Sequence, residues 1–442
     1  MLKLAATGQK VVLIERSAKM YGGSCINIAC IPTKTLITSA LRRHEENPAA
    51  EYFRQAVRCR DEFIAKLNSV NYGMLEGKIT LIDGFARFTA PHTLAVTPSA
   101  GRPNDVTLEG VDGAKGEEFE ITADTIIVNT GTIPARPEIP GIDLEGVYDS
   151  TTIQHVDPLP QRLVIVGASF VGLEFAAMFS GFGSEVTVVN RSERFLPRVD
   201  EDVAGLVQEV MESQGVRFLM GQDTKSITRK GSELAVQVGA DEVFADAVLV
   251  AAGRTPATAG LGLEAAGVEL DDRGFVKVDE KLRTSVEGIY AVGDINGGPQ
   301  FTYLSFDDNR VLESTLLKKG NRTTADRVAV PNTTFLDPPL AMVGLTEAQA
   351  RETGREIRVL AKKIAEIPVM PRPKILGKPQ GMAKVIVDAT SDEILGAALY
   401  CVDSQELINL VAQTMRLGGT WSSLRDGIWT HPASTEVFNG LV

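Results

Sequence analysis

Cys25 and Cys30 lie five positions apart in the run Gly22-Gly23-Ser24-Cys25-Ile26-Asn27-Ile28-Ala29-Cys30-Ile31-Pro32-Thr33-Lys34. The C-x4-C spacing matches neither the two-residue spacing of zinc ribbons nor the C-x-x-C of thioredoxin-like sites, and it points to thiol–disulfide chemistry. Residues five apart on a regular helix differ in direction by about 140°, so bridging them needs a distorted turn that brings the Cα atoms within about 7 Å. A strained, accessible disulfide is a reactive one. The competing reading is two unrelated thiols packed as small hydrophobes. Cys59 and Cys401 have no comparable setting, and each reads as a buried small hydrophobe.

The cysteine run resembles the redox-active disulfide of the flavin-dependent pyridine nucleotide-disulfide oxidoreductases, the family of glutathione reductase, lipoamide dehydrogenase and mercuric reductase. Within it, the run is most similar to a bacterial branch of reactive-chlorine resistance flavoproteins that reduce copper(II). Matching segments recur at Gln300-Phe301-Thr302-Tyr303, Asp337-Pro338-Pro339-Leu340 and Cys401-Val402-Asp403-Ser404, so the resemblance covers nearly the whole chain. It implies that Cys30 is the flavin-proximal charge-transfer thiol and Cys25 the thiol that exchanges with substrate, with Gly23 and Ser24 bordering the flavin. It also implies that Lys34 and Glu174 meet beside the flavin ring, where a paired ammonium would stabilise charge on the reduced cofactor. Thr430-His431-Pro432-Ala433-Ser434-Thr435-Glu436 resembles the family's H-P-x-x-x-E ending, in which the imidazole enters the partner subunit's active site. Histidine suits proton transfer near neutral pH because its ordinary pKa is about 6.5, and Glu436 would fix the ring of His431.

Composition bounds what can surround such a site. The 442 residues allow about three domains, each large enough for its own core. Hydrophobic content of 44% with 23% charged residues is that of an ordinary globular protein, and four cysteines do not make a disulfide scaffold. The net charge of -12 argues against a nucleic-acid partner, and no apolar run reaches the ~18 residues of a membrane span. A reducing cytoplasm is the expected location, with no metal site of the protein's own.

An internal repeat supplies the elements that would position the cofactors. Gly8-Gln-Lys-Val-Val-Leu-Ile-Glu15 reads like Gly183-Ser-Glu-Val-Thr-Val-Val-Asn190, and the two copies are 175 positions apart. Each is a short apolar strand after a glycine, as in the second strand of a dinucleotide-binding βαβ unit, whose last residue meets the adenosine ribose. In the second copy the unit is complete: the strand Leu163-Val164-Ile165-Val166 runs into Gly167-Ala168-Ser169-Phe170-Val171-Gly172 and then a helical stretch. The turn resembles G-x-G-x-x-G with Ser169 at the middle position, placing Gly167, Ser169 and Gly172 at a pyrophosphate. The same offset places the first copy's fingerprint before Met1, so the first strand and phosphate-binding turn of the flavin unit are expected to be absent from this chain.

Glu15 ends the first copy, where a carboxylate accepts from both ribose hydroxyls, which suits FAD. The second copy ends without an acid and is followed by Arg191, Arg194 and Arg198, whose guanidinium groups can pair with a 2′-phosphate, so NADPH is expected over NADH. Ile126–Gly131 and Val248–Gly253 each read as a buried strand ending at glycine, and the resemblance puts Gly131 and Gly253 where the chain leaves one nucleotide domain or nears the nicotinamide. Tyr290-Ala291-Val292-Gly293-Asp294 resembles the second flavin motif, with Asp294 accepting from a ribitol hydroxyl.

The expected architecture is α/β, with two Rossmann-like dinucleotide-binding domains and a C-terminal α+β dimerisation domain. The flavin domain would comprise residues 1–150 and 286–330, the NADP domain 151–285 and the dimerisation domain 331–442. The expected activity is an NADPH-dependent flavoprotein oxidoreductase acting as a homodimer. Its acceptor would be copper(II) or another oxidant linked to oxidative stress, with a small disulfide as the alternative. A flavin-free remnant is the third reading.

Overall fold

Arg162–Val166 and Ala247–Val250 are nearly continuous apolar runs, the pattern of strands buried on both faces. In the computed structural model, which describes residues 1–99 and 117–441, they form the centre of a five-stranded parallel sheet. Its order is Val216–Met220, Glu185–Asn190, Arg162–Val166, Ala247–Val250, Val147–Tyr148. The helix Phe170–Phe182 makes the crossover between Arg162–Val166 and Glu185–Asn190, buries Phe175, Phe179 and Phe182, and ends at Gly183 in the left-handed region, where glycine carries no Cβ penalty. An antiparallel meander, Thr224–Lys230, Glu233–Val238 and Asp241–Ala245, packs Ile227, Leu234 and Val236 against Val164, Val189 and Val248.

The chain divides into two compact units. One comprises Met1–Thr35, Val57–Ala135 and Gly253–Arg327, the other Leu36–Ala56, Arg136–Ala252 and Val328–Val442. The parallel sheet belongs to the second unit. So does an antiparallel five-stranded sheet ordered Asn332–Thr334, Leu340–Gly344, Ile394–Tyr400, Met382–Asp388, Ile357–Lys363. The helix Ser404–Arg416 buries Leu407, Ile408, Val411 and Ala412, spaced as one helical face, in the core of that sheet.

In the first unit Val12–Glu15 pairs in parallel with the start of Thr80–Ala90, from Val12 opposite Thr80 to Glu15 opposite Asp83. Thr80–Ala90 then continues antiparallel with Thr93–Pro98, which pairs with Phe119–Thr122. Ile126–Val128 and Ile289–Ala291 form a separate parallel pair, and Thr132–Pro134 runs antiparallel to Arg254–Pro256. Ile126, Val128, Ile289 and Ala291 share a core with Leu263, Val268 and Val276. The molecule is thus α/β with an added α+β sheet, and no helix among the described residues is long and apolar enough to cross a membrane.

The two cysteines outside the redox run part company. Cys401 is fully buried, and burial pushes its thiol up to about 12. Cys59 is exposed, contrary to the expectation from the sequence. It lies on the helix Ala49–Leu75, whose buried positions Phe53, Ala56 and Arg60 follow a three- and four-residue spacing that leaves position 59 outside.

Candidate active site

The distorted turn required between the two cysteines is present. A short helix, Gly23–Asn27, starts after Gly22 in the left-handed region and stops at Ile28, and a second helix, Cys30–Leu41, begins at the second cysteine. Ser24 O accepts from the backbone N–H groups of both Ile28 and Ala29, at 2.9 and 2.8 Å; the second spans five residues, a wider turn than the α-helical one, and the regular helix ends there, before Cys30. Asn27 fixes the entry: its Nδ2 donates to Tyr21 O and Gly23 O, and Asn68 Nδ2 donates to Asn27 Oδ1 at 3.1 Å. Pro32 fits because it falls in the first turn of the new helix, where the missing N–H costs no intrahelical bond.

Cys25 and Cys30 stand as half-buried thiols. The hydrogen bond Cys25 shares with Cys30, together with burial, holds its thiol well above the usual range, while the Thr302 hydroxyl and the Lys34 ammonium oppose that rise. Cys30 Sγ is also 3.5 Å from Thr302 Oγ1. Burial, and secondarily the Cys30 charge, push the Tyr303 phenol up.

Two glycines of the nucleotide elements show different constraints. Gly167 follows the strand Arg162–Val166 at φ +111°, and a Cβ there would lie 2.7 Å from Ala251 O. Ser169 is the N-cap of the helix Phe170–Phe182, its Oγ accepting from Gly172 N–H at 3.3 Å and donating to Ala251 O at 3.1 Å. The serine at the middle fingerprint position thus also caps the helix that would face a pyrophosphate. Asn190, at the end of the next strand, accepts from Ala168 N–H and donates to Ser192 O. Arg191, Arg194 and Arg198 beyond it are exposed. Gly131, at φ +69°, has nothing within 4 Å of where a Cβ would stand, which leaves space for a cofactor rather than for the protein's own backbone.

Glu15 ends its strand half-buried; burial pushes its carboxyl up against the lowering effect of the Ser17 N–H, which donates to it at 3.0 Å. Burial likewise raises Asp294, which accepts from the Thr132 hydroxyl at 3.2 Å, and Arg254 Nε in turn donates to that hydroxyl at 2.7 Å. Gly293 N–H donates to the buried Asp308 carboxylate at 2.6 Å, and Arg327 holds the other oxygen of that carboxylate. Acceptors at two strand ends, with glycine space at Gly131, fit the hydroxyl-rich ribose and ribitol of FAD. Gly253 and Gly131 lie at opposite ends of the antiparallel pair Thr132–Pro134 and Arg254–Pro256, the carbonyl of Gly253 accepting from Ala135 N–H and that of Gly131 from Ala257 N–H.

His431 is largely exposed, and its Nδ1 lies 2.7 Å from Glu436 Oε1. Burial raises Glu436, but donation from Ala433 N–H and from His431 outweighs it and holds the carboxyl below its usual range. The carboxylate thus stays ionised and keeps one ring nitrogen fixed. Glu174 is buried and accepts from Phe335 N–H at 2.9 Å. Thr302 and Asp308 went unrecognised in the sequence. Only Thr302 carried a usable signal, a hydroxyl residue within the quoted Gln300–Tyr303 segment at the start of a helix.

Residues 1–308 match the pyridine nucleotide-disulphide oxidoreductase family, and residues 330–442 match its dimerisation domain. The chain is 40% identical to the probable pyridine nucleotide-disulfide oxidoreductase RclA of Escherichia coli K12, over 99% of this chain and 94% of that protein. It is 32% identical to dihydrolipoyl dehydrogenase of Thermus scotoductus, over 98% of this chain and 91% of that one, and 30% identical to mercuric reductase of Staphylococcus aureus, over 96% and 76%. The structure of the Cu(II) complex of the HOCl-induced flavoprotein disulfide reductase RclA from Escherichia coli superposes with a TM-score of 0.90 at 40% identity, covering 100% of this chain and 95% of that one.

Proposed function

Because this chain belongs to the pyridine nucleotide-disulphide oxidoreductases, a family of FAD-dependent enzymes that use pyridine nucleotides, we propose that it passes electrons from NADPH to a disulfide of Cys25 and Cys30, and from there to copper(II) or another oxidant-linked acceptor. The observation that carries the reading is the break between Gly23–Asn27 and Cys30–Leu41, which turns the two sulfurs into hydrogen-bonding reach of one another. The likeness to a reductase whose structure holds Cu(II) supports copper(II) as the acceptor.

FAD, when bound, supplies two-electron transfer between nicotinamide and disulfide. Glu15 would accept from its ribose and Asp294 from its ribitol, with Gly131 and Gly253 giving the chain close approach and Gly23 and Ser24 bordering it. Gly167, Ser169 and Gly172 would face the NADPH pyrophosphate. Arg191 and Arg198 would pair with the 2′-phosphate, since neither has a carboxylate partner among the described residues. Lys34 holds a positive charge near the Cys25 sulfur, which favours the anionic form the exchange step needs. Glu174, through Phe335 N–H, ties the crossover helix to the segment before the dimerisation sheet. The domains proposed are 1–150 with 286–330 for FAD, 151–285 for NADP and 331–442 for the interface of a homodimer, in which His431 and Glu436 would serve the partner subunit.

The same His431–Glu436 pair favours a second reading, reduction of a small disulfide. A departing thiolate needs a proton, and copper(II) does not. One experiment separates the central assignment from its alternatives: NADPH-dependent reduction of copper(II) and of a small disulfide by the FAD-loaded protein, with and without Cys25→Ser and Cys30→Ser together. The double variant should lose both activities by at least ~100-fold. Full activity in that variant would make the cysteine pair a structural feature and overturn the proposal.

A further inference from the structure

Asp307 and Asp308 are buried acids that the function assigned above does not use. They are adjacent on the helix Thr302–Leu316 and only 4% and 3% exposed. Taking a carboxylate out of water carries a large penalty, so the partners that repay it show what each acid is for. The two differ. Asp307 Oδ1 accepts from Arg322 Nε at 2.8 Å and Arg310 Nη1 at 3.3 Å, and its Oδ2 accepts from Arg327 Nε at 2.9 Å. It ties the helix to the segment that follows it. Asp308 turns instead to the short turn Gly293–Asn296: its Oδ2 accepts from Gly293 N–H at 2.6 Å and Asn296 Nδ2 at 3.4 Å, while Arg327 holds its Oδ1.

That turn is closely boxed in. Gly293 is buried at φ +71°, and a Cβ on it would lie 2.8 Å from Asn129 Oδ1 and 3.4 Å from Ser305 Oγ. Its N–H needs an acceptor inside the fold, and the Asp308 carboxylate is that acceptor. The next residue, Asp294, is held by one oxygen: Oδ2 accepts from the Thr132 hydroxyl, and Oδ1 has no hydrogen-bond partner among the described residues. Burial raises the Asp294 carboxyl, Thr132 and Arg254 lower it, and the nearby Asp308 charge adds to the rise.

We propose that Asp308 is a positioning residue for FAD: it fixes the Gly293 peptide so that the open oxygen of Asp294 faces the ribitol, and Arg327 supplies the counter-charge that keeps this carboxylate inside the fold. The role needs two acceptor oxygens on one side chain, because Gly293 and Arg327 take one each. An amide has a single oxygen, and the charged guanidinium outcompetes a backbone N–H for it. The inference rests on the proposed function in one respect, that Asp294 accepts from FAD.

The test is flavin retention. The full chain, loaded with FAD, is diluted serially, and the fluorescence of released flavin gives a Kd for each variant. Asp308→Asn should raise that Kd about tenfold, since it leaves the Gly293 N–H without its acceptor. Asp307→Asn, whose partners are all arginines, should stay within about threefold of the wild type. Two double variants remove the ion pair altogether and so keep the fold free of an uncompensated charge. Asp308→Asn with Arg327→Met lets the amide oxygen return to Gly293, and its Kd should lie within about threefold of the wild type; Asp308→Leu with Arg327→Met has no acceptor there and should remain about tenfold weaker. Equal Kd values in the two double variants, or an equal rise in Asp307→Asn and Asp308→Asn, overturn the inference. A wild-type chain that holds no FAD fails the proposed function and takes Asp308 with it; a wild type that holds FAD beside an unaffected Asp308→Asn removes only the role of Asp308.

Discussion

Gly8–Glu15 and Gly183–Asn190 are nearly the same strand in sequence, yet they sit in different surroundings. Glu185–Asn190 lies between Arg162–Val166 and Val216–Met220, and Val188 and Val189 are 0% and 1% exposed. Val12–Glu15 pairs only with Thr80–Ala90 among the described residues, and all four of its residues are half-buried. Strand propensity is the same in both, so the difference comes from the number of neighbours each strand finds.

The residues that end the two strands differ in the same sense. Asn190 is taken up by its own unit, bonded to Ala168 N–H and Ser192 O, and the arginines after it are left exposed. Glu15 keeps a carboxylate that burial disfavours. One strand end is an amide bonded on both sides to its own backbone; the other is a half-buried carboxylate that accepts from the Ser17 N–H.

The largest test of this contrast is a pair of glycine substitutions. Gly167→Ala adds a Cβ at positive φ and 2.7 Å from a backbone oxygen, so it should cost about 3 kcal/mol of stability whether or not nucleotide is present. Gly131→Ala meets no protein atom within 4 Å and should cost only the left-handed strain, about 1–2 kcal/mol, while releasing FAD more readily. Thermal unfolding and flavin fluorescence of both variants read the outcome; equal loss of stability with unchanged flavin retention in Gly131→Ala would erase the distinction.

Next in size is the discrimination at the end of the second strand. Arg191→Glu replaces a cation able to pair with phosphate by a repelling anion, and should raise the KM for NADPH about tenfold or more while leaving NADH within about threefold. Steady-state kinetics with both nucleotides decide it, and parallel changes would remove Arg191 from 2′-phosphate recognition.

The smallest effect concerns Glu15. Its folded pKa is raised by burial, so the fold favours the protonated form: that contribution is present below the ordinary glutamate pKa of about 4.3 and is lost as pH rises through the higher folded value. Glu15→Gln should flatten the stability–pH profile of the flavin-free protein over that window and leave the profile near neutrality level. Denaturant unfolding at several pH values measures it, and an unchanged slope would show that the strand end is too well solvated for burial to matter.

Local chemistry was readable from the chain alone. The C-x4-C run with Gly-Gly before and Pro-Thr-Lys after implied a broken helix, because no regular helix joins positions five apart, and the structure breaks at Ile28. The repeat implied two strands, short apolar runs bounded by glycine, and both are present at Val12–Glu15 and Glu185–Asn190. Burial was not readable, since it depends on what packs alongside: Cys59 was expected inside, and the outward face of Ala49–Leu75 put it in solvent. Nor were contacts between distant segments. Thr302 is 272 positions from Cys30, and Asp308 reaches Gly293 across the turn that carries Asp294. No periodicity or spacing encodes such a meeting; only the tertiary fold brings a hydroxyl at the start of one helix to a sulfur at the start of another.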